Sequence, residues 1–139
     1  TSSAAPPYRA WSRPFTLSGA DAVRAANPAL AVEDCGSSSV VHVSWTDGRR
    51  AAPLHDVFYA RKRTVPPTPW STAIRVSNPT PPAVVPLDSW FPSADSLVGL
   101  HGLAAAGQSA FALWTDRRDG VAGDTDVFGS RVRSGITCR

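Results

Sequence analysis

Two stretches of this chain repeat one pattern. Val41-His42-Val43-Ser44-Trp45-Thr46-Asp47-Gly48-Arg49-Arg50 runs on to Asp56-Val57-Phe58-Tyr59-Ala60-Arg61-Lys62-Arg63. Ala110-Phe111-Ala112-Leu113-Trp114-Thr115-Asp116-Arg117-Arg118 runs on to Asp126-Val127-Phe128-Gly129-Ser130-Arg131-Val132-Arg133. Trp-Thr-Asp and then Asp-Val-Phe thus recur in the same order. Such a repeat constrains the fold more than any local propensity does, because each copy is one supersecondary unit that must stack on another to bury its faces.

A second element repeats as well. Trp11-Ser12-Arg13-Pro14-Phe15-Thr16-Leu17-Ser18 matches Trp70-Ser71-Thr72-Ala73-Ile74-Arg75-Val76-Ser77, and Pro28-Ala29-Leu30-Ala31-Val32 has a looser partner in Pro92-Ser93-Ala94-Asp95-Ser96-Leu97-Val98. All four elements are short, partly alternating apolar runs bounded by turn residues, which is the signature of strands. Thirteen prolines and ten glycines punctuate them. Calling the Pro28 type A, the Trp-Thr-Asp type B, the Asp-Val-Phe type C and the Trp-Ser type D, the chain reads D, A, B, C, D, A, B, C.

The expected fold is therefore all-β, with two four-stranded antiparallel sheets of the propeller type in a single domain spanning 1–139. The first sheet is expected over 28–78 and the second over 89–135, with 11–18 as a detached outer strand that closes the second. Propellers seal their ring by such offset closure and usually hold about four to eight sheets. Two sheets cannot close a ring, which leaves a piece of a longer propeller, a protomer whose copies complete one, or two sheets packed as a sandwich. The second B strand, Ala110 to Trp114, is apolar on both faces, as a strand inside a stack of sheets is.

The charge argues against a nucleic-acid surface. The formal net charge is +3, and the thirteen arginines are dispersed and mostly sit near aspartates rather than forming a stripe. No apolar run approaches the roughly 18 residues of a membrane span. The opening Thr1-Ser2-Ser3-Ala4-Ala5-Pro6-Pro7 reads as the start of a mature secreted chain or a trimmed one, so a secreted or periplasmic location is expected. Cys35 and Cys138 are too far apart for metal spacing. In an oxidising compartment they would pair, and two free buried thiols are the alternative.

Trp-Thr-Asp-x-Arg, then Asp-Val-Phe-Tyr-Ala-Arg, then Pro-Trp-Ser resembles the sialidase-like repeats called BNR or Asp-box repeats. The resemblance covers about 28–78 and 89–135. It implies a propeller, often six-bladed in that superfamily. The chain departs from the pattern at the turn of Ser/Thr-x-Asp-x-Gly-x-Thr-Trp form that gives the repeats their name. Here Arg63-Thr64-Val65-Pro66-Pro67-Thr68-Pro69-Trp70 keeps only the tryptophan. The family's chemistry uses an arginine cluster, a tyrosine nucleophile activated by a glutamate, and an aspartate acid/base. This chain has one glutamate, Glu33, and two tyrosines, Tyr8 and Tyr59, and no motif carries a catalytic residue over.

Asp47 and Asp116 each follow a tryptophan at a strand end. A structural role fits their duplication, with the carboxylate accepting turn amides and pairing with Arg49 or Arg118. The alternative is a pair of sugar sites made of Trp45, Asp47 and Arg49, and of Trp114, Asp116 and Arg118. Asp119, Asp124 and Asp126, with Asp116, crowd a glycine-containing loop; hard oxygen ligands of this kind suit Ca²⁺, although the spacing is not that of an EF-hand. His42, His55 and His101 have no zinc spacing.

The expected function is a non-catalytic extracytoplasmic binding or structural module, with a glycan or other protein chains as partners, either copies of itself or members of a larger complex. The alternative is a fragment of a sialidase-like glycoside hydrolase.

Overall fold

The computed structural model describes residues 13–22, 25–51, 54–77, 101–116, 126–136 and 138, with the side chains of residues 48, 50, 51, 54, 55, 116 and 126 outside that description. The strands are β1 (Ala26–Asp34), β2 (Ser39–Ala51), β3 (Leu54–Arg63), β4 (Ile74–Arg75), β5 (His101–Ala106), β6 (Ser109–Asp116) and β7 (Asp126–Arg133). They form two antiparallel sheets, one of four strands in the order β1-β2-β3-β4 and one of three in the order β5-β6-β7. The described residues contain no helix and close no ring.

The sequence repeat is a repeat of register. Trp45 lies opposite Phe58, Thr46 opposite Val57 and Asp47 opposite Asp56. In the second sheet Trp114 lies opposite Phe128, Thr115 opposite Val127 and Asp116 opposite Asp126. The strand beside β6 is not the expected 92–98, which falls outside the described residues, but β5. Leu103 faces Ala112 as Leu30 faces Val43, so β5 is the counterpart of β1. His101-Gly102-Leu103-Ala104-Ala105-Ala106 has no β-branched residue and therefore little strand signal of its own. Its pairing is set by the hairpin loop Gly107-Gln108, where φ is 57° and 65°. Two successive positive φ values give the primed turn whose twist matches that of the flanking strands.

Among the described residues the second sheet has three strands, where four were expected. The described part of the expected closing strand, 13–18, is not a strand. It lies against the first sheet: Leu17 joins Trp45, Phe58, Ala60 and Trp70, and the Phe15 ring sits 6.2 Å from that of Trp70. Pro14, which has no amide to donate, works against a ladder there.

Each sheet has a front face, bearing Trp45 and Phe58 or Trp114 and Phe128, and a back face. The front of the second sheet packs on the back of the first. Ala112 and Trp114 meet Val57, while Ala110 and Val132 meet Tyr59, with Leu103 and Phe128 alongside. The sheets come closest where β5 meets β1 and β2. The turn after β5 is fastened across this junction, because the Gln108 amide donates to Glu33 Oε1 at 2.7 Å. The expected disulfide is present: Cys35, after β1, is bonded to Cys138, tying the C-terminal segment to the β1–β2 turn. Closing a loop of 103 residues is worth about 4–5 kcal/mol in the chain-entropy account.

Candidate functional site

Three clusters of polar side chains stand out, and the first was legible in the sequence. Asp47 has no exposed surface. Its Oδ1 accepts the Arg49 amide at 2.9 Å, and its Oδ2 accepts Arg49 Nε at 3.0 Å, Arg49 Nη2 at 2.6 Å and Trp45 Nε1 at 3.3 Å. The β2–β3 register shifts after Asp47, and the Arg49 amide turns to the carboxylate there. The guanidinium also reaches Asp21 and the Ser18 carbonyl, and lies 4.4 Å over the Phe58 ring. Hydrogen bonding to Asp47, opposed by burial, holds the Arg49 pKa above its ordinary value. Every one of these partners belongs to the chain itself, so the cluster pins 18–21 onto the end of β2.

The two tryptophans that would floor a sugar site are covered. Trp45 stacks against Phe58, and Trp114 faces the first sheet. In the second repeat, Arg118, Asp119 and Asp124 fall outside the described residues, as do the side chains of Asp116 and Asp126. The backbone places Asp116 directly across from Asp126.

The second cluster was missed. Asp56, the first residue of Asp-Val-Phe, is buried and accepts Ser77 Oγ at 2.8 Å and Arg75 Nη2 at 2.7 Å. Ser77 Oγ in turn accepts the Val57 amide at 3.2 Å. This clamp fastens the strand after the Pro-rich connector to β3. Its sequence signal was the Ile-Arg-Val-Ser tail of the D element, which carries the partners of the C-element aspartate.

The third cluster is sealed between the sheets. His42 Nδ1 and the Tyr59 hydroxyl are 2.7 Å apart, and His42 Nε2 lies 3.6 Å from Glu33 Oε2. Ser44 Oγ and His101 Nε2 are 2.6 Å apart. His42, Ser44 and Tyr59 have no exposed surface. Burial pushes the Tyr59 phenol up, with Arg61 opposing, and pushes both His101 and His42 down, with Glu33 opposing at His42. A tyrosine, a histidine and a glutamate in line have the order of a nucleophilic relay. The shift at Tyr59 runs against one, since a nucleophile is activated by a lowered pKa. No spacing rule could have found this cluster, because it joins β1, β2, β3 and β5.

Glu33, Cys35 and Cys138 also converge. The two sulfurs are spent on each other in the disulfide, which removes them as thiolate ligands. Comparison with known protein families, characterised proteins and solved structures finds no match to this chain.

Proposed function

We propose that this chain is a non-catalytic binding or structural module of an extracytoplasmic protein, built of sialidase-like propeller-type repeat sheets. The observation that carries this reading is the face-to-back stacking of two sheets with the same internal register. A repeat unit of this kind exists to stack. Its largest polar clusters support the same reading: Asp47 with Arg49 and Asp56 with Arg75 spend their hydrogen bonds holding strands and connectors in place. The disulfide fits an oxidising compartment, and no helix among the described residues is long and apolar enough to cross a membrane. A glycan ligand would then be taken on a surface other than the covered faces of Trp45 and Trp114.

The second reading is a fragment of a sialidase-like hydrolase. The line of Tyr59, His42 and Glu33 favours it, and the burial of that line opposes it. Incubation with a fluorogenic sialoside separates the two. The module releases no fluorophore. Turnover that disappears in Tyr59→Phe would establish the hydrolase. A glycan array and recovery of partner chains in co-purification then divide ligand binding from assembly.

A further inference from the structure

We infer that the chain associates with a second copy of itself head to tail, the back of the second sheet of one copy docking on the front of the first sheet of the next. The inference rests on the module reading above and names the partner of its stacking surfaces.

Among the described residues two apolar faces are exposed, and the repeat register identifies both. On the back of the second sheet, Phe111, Leu113 and Val127 are exposed, Val127 by 70%. Their counterparts in the first sheet are His42, Ser44 and Val57, all buried under the second sheet, Val57 with 2% exposed. On the front of the first sheet, Leu30 and Val32 are exposed by 63% and 56%. Their counterparts, Leu103 and Ala105, are half-buried, and Leu103 packs against both interface clusters. Each open face is therefore the equivalent of a face that the chain already covers internally, and the two are the complementary halves of one contact.

β1 also has its polarity inverted. It turns Leu30 and Val32 outward and Glu33 inward. A strand whose front faced water would show the reverse alternation, and contiguous exposed apolar surface marks an interaction site.

The shape of the open front fits the same occupant. Residues 13–18 cover its outer part, over Trp45, Phe58 and Trp70. Between that segment and β1 lies a groove of about 280 Å³ lined by Leu17, Pro28, Val43 and Trp45 among others. A three-stranded sheet laid there with β5 over β1 brings β7 alongside 13–18. The outer edge of β7 has no strand paired to it among the described residues, whereas its counterpart β3 carries β4. The second copy thus gains a covered face and a neighbour for the β7 edge that carries no strand among the described residues, an edge of the kind that acts as a pairing template. Arg131 comes along in the register position of Arg61. A face-to-back contact is heterologous, so it propagates until a ring closes. At the four to eight sheets usual for propellers, closure takes roughly two to four copies.

Two exposed residues make the test, because substituting them leaves the core intact. Leu30→Arg blocks the front, and Leu113→Arg blocks the back. Native mass spectrometry and sedimentation velocity on the oxidised chain should show a closed oligomer of the unaltered protein and a monomer for each variant. An equimolar mixture of the two variants should form a 1:1 dimer and nothing larger, since one good front and one good back remain. A monomeric unaltered protein overturns the inference. So does an oligomer that Leu113→Arg leaves unchanged, or a mixture that stays monomeric, which would place any contact elsewhere. Sialoside turnover would instead overturn the module reading, whatever the particle mass.

Discussion

Trp45 and Trp114 stand at the same ladder position in two different sheets, each directly across from a phenylalanine. They fill different spaces. Trp45 packs with Phe58, Ala60 and the incoming Leu17, whereas Trp114 packs with Ala112 on Val57 of the other sheet. One repeated side chain thus secures the sheet to its N-terminal cover in one copy and to its neighbouring sheet in the other.

Truncating either tryptophan should be severe. Both are more than nine-tenths buried, so Trp45→Ala and Trp114→Ala should each cost about 3–5 kcal/mol, the usual range for an aromatic lost from a core. Urea unfolding followed by far-ultraviolet circular dichroism measures this. A cost below about 1 kcal/mol for Trp114→Ala would contradict its place between the sheets.

Asp47→Ala should also be costly, for a different reason. It leaves the Arg49 guanidinium, which is only 12% exposed, without the carboxylate that accepts its Nε and Nη2 donors. Breaking a buried pair by removing one partner costs about 3–5 kcal/mol. Arg49→Lys should restore little when compared with Arg49→Ala, because an ammonium cannot reproduce the forked contact. Denaturation midpoints of the three variants check both statements.

Reduction should lower stability without abolishing the sheets. The Cys35–Cys138 bond closes a long loop, so reductant or Cys138→Ser should cost up to about 4–5 kcal/mol. Melting temperature with and without reductant reports the loss. Alkylation before reduction should modify no thiol.

Stability should fall on acidification. Burial lowers the pKa of His42 and His101 below the ordinary 6.5, so the folded chain binds fewer protons there than the unfolded one. The contribution is present above the unfolded value and is lost as pH drops through 6.5 toward the lowered folded values. Melting temperatures between pH 7.5 and 5 should decline, and the slope should lessen in His101→Gln. The groups facing His42 are Glu33, Tyr59 and Arg61, and Glu33 alone acts to retain its proton.

The polar clusters differ in how far the sequence shows them. Asp47 with Arg49 was readable because the two residues are neighbours in a repeated motif. The line of Glu33, His42 and Tyr59, and the contact of Ser44 with His101, join strands from across the chain. Asp56 waited on Arg75 and Ser77 for its meaning. β5 is hard to see in the sequence, since His101 to Ala106 is poor in strand formers and takes its strand conformation from its pairing with β6.

By itself the sequence determined the all-β class, the two repeated sheets, the equivalence of the two tryptophan-bearing strands and of the two phenylalanine-bearing strands, and the two cysteines available to bridge. These follow from periodicity and repetition, which are properties of the chain read in order. Only the tertiary structure decided which face of each sheet is covered. Leu30 and Leu103, or Val57 and Val127, are equivalent as letters and as ladder positions, yet one of each pair packs against the other sheet and its counterpart is exposed. Burial depends on what lies opposite a face. A stack of two sheets has one inner contact and two ends, and no local pattern tells a strand which of these it will meet.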